Sequence, residues 1–335
     1  MITRRRLLIA LGLNALVISA MAPSASAAPP PGKVLRVGVL VAFGESFDPD
    51  SDSVHRALRD DLRSHGYELG RNIMLEFRSA RGYPERLPEL AAELVRLKVD
   101  VLIPVLTGAT LAAHEATKTI PIVMLAATDP VATGVVASLA RPGGNITGVS
   151  INAEEISAKR LQLLKEAVPK LSRVAVLWNS TLKSMTLGFQ QIEMASPGIG
   201  VTVQSLRVAG SADLDKAFAA ISQSRPEGLI VLYGPMRGND LSRIVDHVTR
   251  NGLPTVFEIG RGVSGGGLME FGPNATELAR HVGAYVDKIA NGAKPADLPV
   301  EEPTKFELII NLKAARTMGL IIPQSLLLRA DRVIE

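Results

Sequence analysis

Short runs of branched apolar residues alternate along this chain with longer stretches in which apolar positions return every three or four residues. The runs at 34–41, 73–77, 99–105, 122–125 and 146–149 are apolar almost throughout, so each predicts a strand buried on both faces. Helical periodicity fills the gaps at 53–64, 85–97, 109–117 and 131–139. A second series opens at Arg173-Val174-Ala175-Val176-Leu177, which echoes Arg36-Val37-Gly38-Val39-Leu40. It continues with strands at 201–206, 229–232, 255–257 and 268–271, separated by helices near 182–195, 214–224 and 240–250. Strands alternating with helices predict an α/β fold, and two such series predict two similarly wound lobes with parallel sheets. Ile156, Leu163, Leu164 and Ala167 mark one apolar face of a helix over 153–168 that opens the second lobe. A helix at 275–289, a strand at 306–311 and a short helix at 312–318 are surplus to the two series. They can return the chain to the first lobe and back again, which gives several hinge strands.

The first 27 residues stand outside this alternation. Arg4, Arg5 and Arg6 precede an apolar stretch from Leu7 to Met21, and Ala25-Ser26-Ala27 closes it. This layout predicts a cleavable secretory signal cut after Ala27 and a periplasmic location. Thr3-Arg4-Arg5-Arg6-Leu7-Leu8 also resembles a twin-arginine signal. The apolar stretch is interrupted by Asn14 and Ser19 and is shorter than the roughly 20 residues a membrane span needs.

Removing the signal changes the charge. Three of the 37 Lys and Arg and none of the 33 Asp and Glu lie in it, leaving 34 basic against 33 acidic side chains, or +1. A nearly neutral chain with 4% aromatic residues lacks the basic face that nucleic acid requires. With no cysteine there is no lipid attachment point, disulfide framework or thiolate metal site, so a soluble mature protein is expected.

Candidate chemistry is sparse. His55, His65, His114, His247 and His281 show no metal-ligand spacing, so no metal is expected. Gly260-Arg261-Gly262-Val263-Ser264-Gly265 has the letters of a dinucleotide loop, but it leads into a strand instead of a helix, so it reads as a glycine connection. No nucleophile elbow, Walker loop or kinase set occurs, so neither a cofactor nor an enzymatic activity is predicted. The sequons at Asn145, Asn179 and Asn274 are read as chance.

In open α/β sheets, ligands sit beyond the carboxyl ends of the strands. The loops there carry Phe43-Gly44-Glu45-Ser46, Leu106-Thr107-Gly108-Ala109-Thr110 and Ala127-Thr128-Asp129-Pro130 in the first series. Asn179-Ser180, Tyr233-Gly234-Pro235 and Glu258-Ile259 follow in the second. Two roles fit Thr107: a donor beside helical N–H groups that hold an anion, or a helix cap without a ligand. Two also fit Asp129: partner of an ammonium group, or first residue of the turn at Pro130. Phe43, Tyr233, Phe257 and Phe271 all lie at strand ends, where an aromatic ring either stacks on a planar ligand or packs into the core. Phe43 and Tyr233 are the preferred ligand contacts.

Several segments resemble the ABC transporter substrate-binding family that includes tryptophan-binding receptors. They include Leu139-Ala140-Arg141-Pro142-Gly143-Gly144-Asn145-Ile146-Thr147-Gly148-Val149, Gly292-Ala293-Lys294-Pro295-Ala296-Asp297-Leu298-Pro299-Val300, Pro303-Thr304-Lys305-Phe306-Glu307-Leu308-Ile309-Ile310-Asn311-Leu312-Lys313 and Ala330-Asp331-Arg332-Val333-Ile334-Glu335. The resemblance implies a type I periplasmic-binding-protein fold, two Rossmann-like lobes joined by three crossovers near 149–151, 272–274 and 302–304. It divides the chain into a first lobe of 33–149 with 273–303 and a second of 150–272 with 304–335. It implies ligand contacts at Thr107, Gly108, Thr128 and Asp129 in the first lobe, and at Asn179, Tyr233 and Glu258 in the second. Phe43 and Ser46 join them from the strand-end reading. Asn179-Ser180 departs from the Asn-Pro of many members.

The expected function is a monomeric periplasmic receptor of an ABC importer, working with a separately encoded permease and ATPase. Its ligand is expected to be an amino acid, an aromatic one foremost, or a small organic acid. The competing expectation is a sensor that presents its closed form to a membrane signalling partner.

Overall fold

The computed structural model describes residues 34–42, 52–151, 153–232, 240–258, 262–303 and 305–335. The predicted signal, Phe43, Ser46 and Tyr233 lie outside these residues.

The first series folds as β1 (Leu35–Val41), α1 (Ser53–Ser64), β2 (Ile73–Ser79), α2 (Leu87–Arg96), β3 (Val101–Val105), α3 (Leu106–Ala116), β4 (Ile122–Thr128) and β5 (Ile146–Ile151). Its sheet has the order β2-β1-β3-β4-β5 and every pairing is parallel. The second series folds as α4 (Ala153–Ala167), β6 (Arg173–Asn179), α5 (Lys183–Ile199), β7 (Thr202–Val208), α6 (Leu214–Ser224), β8 (Gly228–Leu232), α7 (Asp240–Arg250), β9 (Thr255–Phe257) and β10 (Met269–Pro273). Here the order is β7-β6-β8-β9-β10, the same winding as the first sheet. The echoing segments at Arg36 and Arg173 therefore occupy equivalent strands.

Continuous apolar strands are explained by burial from both sides. Val37, Val39 and Val41 face α1 and a later helix, α8 (Ala275–Ala290), while Leu40 faces α2 and α3. In the second sheet Val174, Val176 and Trp178 pack beside α4 and α5, and Ala175 and Leu177 pack beside α6 and α7. Alternate side chains thus enter separate cores.

The chain passes between the sheets three times: after β5, after β10, and between Glu301 and β11 (Phe306–Asn311). α8 returns to pack on α1. Glu301 forms a parallel bridge with Val149, its N–H donating to Gly148 O and its carbonyl accepting from Ser150 N. The chain then re-enters the second lobe through β11, α9 (Leu312–Thr317), α10 (Gln324–Leu327) and β12 (Arg332–Ile334). β10 and β11 are antiparallel, because one strand leaves for the hinge and the other comes back from it. This pairing is the exception to the predicted parallel sheets.

Two sequence expectations need refinement. No helix forms over 131–139: turns occupy this stretch, Gly134 takes φ +80°, and Val135 N and Val136 N both donate to Pro130 O. A left-handed residue there stops helical propagation. The glycine connection does surround a strand end, but for packing. A Cβ at Gly262 would come within 2.4 Å of the Phe257 ring, and one at Gly267 within 2.3 Å. Phe257 is fully buried, so it is a core residue and does not face a ligand.

α1 is anchored by Asp52, whose carboxylate accepts from Val54 N and His55 N and lies 2.8 Å from His55 Nδ1. The His55 contact leads in pulling the Asp52 carboxyl down to about 2, against an opposing effect of burial. A carboxyl depressed on folding stabilises the native state above its unfolded pKa. That contribution should therefore be complete above pH about 4 and fade as pH falls towards about 2. Asp52→Ala should cost about 1 kcal/mol in urea unfolding at pH 7 and flatten the loss of stability over that acid window.

Candidate functional site

The order of each sheet reverses direction beside its first strand, at β1/β3 and at β6/β8, and the crevice of such a sheet opens at the carboxyl ends of those strands. The loop after β3 is accordingly the best-described part of the first-lobe site. Leu106 begins α3 with φ +67°, and Val105 at the helix N-cap supplies no capping side chain. Thr107 is thus not the cap of α3. Its Oγ1 instead accepts from Thr128 N at 2.9 Å, tying the loop after β3 to the end of β4.

β4 reaches Thr128 through an irregularity. Ala126 has φ +61°, and the register against β5 shifts between Leu125 and Ala127. A bulge of this kind re-aims the residues that follow it. Asp129 comes next with φ +45°; its N–H donates to Ile151 O at 3.3 Å, and its carbonyl accepts from Thr133 N at 3.0 Å. Asp129 therefore does start the turn at Pro130. Asp129 is half-buried as a residue, with its Oδ2 atom buried, and it directly follows Thr128. Leu106, Ala126 and Asp129 are three non-glycine residues in the left-handed region, just past the end of β3 and at the end of β4, each costing on the order of 1 kcal/mol or more. Gly108 has φ outside that region and room for a Cβ, its nearest contact being Leu87 at 3.5 Å.

Thr107→Val should leave the Thr128 amide without its acceptor and lower stability by about 1–3 kcal/mol, measured by urea unfolding of the ligand-free protein.

In the second lobe, Asn179 ends β6, and its Oδ1 accepts from Thr181 N at 2.9 Å and from Thr181 Oγ1 at 2.7 Å. This is an Asx turn that shapes the loop. The departure from Asn-Pro has a local reason: Ser180 N donates to Val208 O at 3.3 Å, a bond proline cannot make. Glu258 follows β9 and is 6% exposed. Beside it lies Arg160 of α4, which is fully buried. Arg160 Nη2 is 3.6 Å from Glu258 Oε1, Nε donates to Phe271 O at 2.9 Å, and Nη1 donates to Ser157 Oγ at 3.4 Å. Burial drives the Arg160 pKa down, while Glu258 and Glu270 oppose that shift. Sequence reasoning missed Arg160. Its signal was a charge on the apolar face of α4, four residues after Ile156 and four before Leu164.

Phe271 packs against the cores of both lobes and lies 6.1 Å from Phe306, so it fills the junction at the second crossover. A cavity of about 270 Å³ lies against the crossovers, lined by Val149, Asn274, Glu301, Pro303 and His281 among others. None of the predicted ligand residues among the described ones lines it. Among the described residues no group of three His, Asp or Glu side chains is placed to hold a metal ion. No described helix is long and apolar enough to cross a membrane.

Two similarly wound parallel-dominated sheets joined by three crossovers define a two-lobed α/β protein of the kind that binds at its strand ends. The family model described as ABC transporter substrate binding protein matches residues 39–334, and the chain belongs to that family. A tyrosine-binding protein of Clostridioides difficile (strain R20291) is 28% identical over 267 residues, covering 78% of this chain and 75% of that protein. The crystal structure of an ABC domain from Streptococcus pneumoniae in complex with L-Trp is 25% identical, covers 90% of this chain and 100% of its own, and superposes with a TM-score of 0.82. The leucine-binding protein LivK of Thermotoga maritima shares the fold, with a TM-score of 0.53 at 16% identity over 79% of this chain and 78% of its own.

Proposed function

We propose that this protein captures an amino acid, foremost an aromatic one, in the crevice between its lobes and delivers it to an ABC importer. The observation that carries the reading is the pairing of two chemistries in the first lobe. The α3 N-terminus, lacking a side-chain cap, offers N–H groups to a carboxylate, with Thr107 beside it. Asp129 supplies the opposite charge for an ammonium group. The tyrosine and L-Trp recognition of the two similar proteins supports the same ligand class.

Capture proceeds by lobe closure. Ligand held by Thr107, Gly108, Thr128 and Asp129 gains further contacts from Asn179 and Glu258, and from Phe43, Ser46 and Tyr233. Those contacts favour the closed state by its greater affinity. The crossovers absorb the rotation, and the protein releases its ligand unchanged. A cleaved signal places it in the periplasm, where the closed form meets a separately encoded permease with its ATPase.

Native mass spectrometry of freshly purified protein, followed by identification of the molecule released on denaturation, tests the ligand class. An amino acid is expected; an uncharged sugar would overturn the reading. Asp129→Asn should weaken binding of L-tyrosine by about tenfold or more, a loss of about 1.4 kcal/mol, and leave the corresponding arylpropanoate nearly unaffected. Equal losses for both in titration calorimetry would remove Asp129 from the ammonium role.

A further inference from the structure

The helices α1 and α8 of the first lobe meet at a carboxyl group. Asp61, in the last turn of α1, is 15% exposed, and its Oδ2 is buried without a hydrogen-bond partner. It lies over Gly283 of α8, where a Cβ would collide with Oδ2, so the carboxyl fills the notch that the glycine leaves. A charge in such a notch gives up water and gains little in return. Burial accordingly leads in pushing the Asp61 carboxyl above its ordinary value, against weaker opposing effects of His65 and His281 and of the Gly283 and Ala284 N–H groups. His65 Nε2 stands 3.9 Å from Oδ1 on the same helix, and His281 Nδ1 on α8 is itself 3.2 Å from Glu301 Oε2. One turn further along α8, Asp287 Oδ1 accepts from Tyr67 Oη at 3.0 Å, so that carboxylate has the partner that Asp61 Oδ2 lacks.

α8 begins directly after the second crossover. Its cap, Asn274, accepts from Glu277 N and donates through Nδ2 to Glu307 of β11 in the other lobe. Whatever holds the middle of α8 on α1 therefore steadies the first-lobe support of that crossover. We propose that Asp61 is a proton-operated latch between α1 and α8, which docks α8 firmly when its carboxyl carries a proton and loosens it when the proton leaves. A carboxyl raised on folding stabilises the native state fully below its unfolded pKa of about 4 and ceases to do so as pH rises through the folded value. This is the opposite sense to Asp52. Acidification from neutral first tightens α8 on α1, and only below about 4 does it weaken the start of α1.

The test follows the ligand-free protein by NMR from about pH 7 down to about pH 4. The Asp61 Cγ resonance, assigned through its own backbone, should titrate above the ordinary aspartate value of about 3.9; a midpoint at or below that value overturns the latch. Hydrogen-exchange protection of the α8 amides, referenced to α6 in the other lobe, should rise about tenfold along the same curve. Protection that stays level in the wild type, or changes along a different curve, overturns it. Asp61→Asn holds the neutral shape at every pH, so its α8 should already be well protected at about pH 7 and show no further rise. A rise that persists in Asp61→Asn would belong to His65 or His281 and overturns the role of Asp61. The wild-type curves need no variant, so they decide the matter even if Asp61→Asn does not fold.

Discussion

Replacing Gly148 by alanine should abolish stable folding of the first lobe. Gly148 lies in β5 with φ +124°, a region that side chains rarely enter. A Cβ there would meet Met124 O at 2.3 Å and Met124 N at 2.6 Å. Both are backbone atoms of the neighbouring strand, so no rotamer change can relieve the clash. The cost has two parts, backbone strain of about 1–3 kcal/mol and the steric separation of β4 from β5. Their sum is on the order of the 5–15 kcal/mol that holds an ordinary domain together. The damage would spread to the hinge, because Gly148 O accepts from Glu301 N and the next residue pairs with Glu301. Loss of soluble protein, or a drop in melting temperature much larger than that of Gly108→Ala, is the expected outcome. Gly108→Ala serves as the reference because a Cβ there meets only Leu87 at ordinary contact distance.

The second large effect is expected at the buried ion pair. Arg160→Met removes the cation that both Glu258 and Glu270 act on and leaves the buried Glu258 carboxylate without it, which should cost about 3–5 kcal/mol. Glu258→Gln alone leaves the guanidinium in place but without its nearest counter-charge. The double variant Arg160→Met/Glu258→Gln should recover a substantial part of the first loss, because the buried carboxylate that needed compensation is gone. Urea unfolding of the four ligand-free proteins gives the coupling directly. Losses that simply add would show that the two side chains do not interact across their 3.6 Å separation.

The same pair shows where sequence reading of the site stops. Glu258 is singled out because it directly follows a predicted strand, a local signal. Arg160 lies 98 positions earlier and was noticeable only as a charge on an apolar helix face. What joins them is the packing of α4 across the second sheet. Thr107 illustrates the same limit from the other side. As a threonine at the start of a helix it reads equally well as a cap, and only the structure, with Val105 at the cap position and the Thr128 N–H donating to Thr107 Oγ1, removes that reading. Asn179 was placed at the correct strand end, yet its carbonyl is committed to the Thr181 turn. Phe257 had the right position for a ligand contact and is instead enclosed by Gly262 and Gly267.

The sequence by itself determined the two βα series, the burial of their strands on both faces and the near-neutral charge of the chain beyond its first 27 residues. These are properties of composition and short-range period, carried by residues a few positions apart. The tertiary structure decided the antiparallel return of β11, the turns that replace a helix over 131–139, and the meeting of Arg160 with Glu258. Each depends on partners far away in the chain, whose distances are set by sheet order and by the hinge rather than by any local preference.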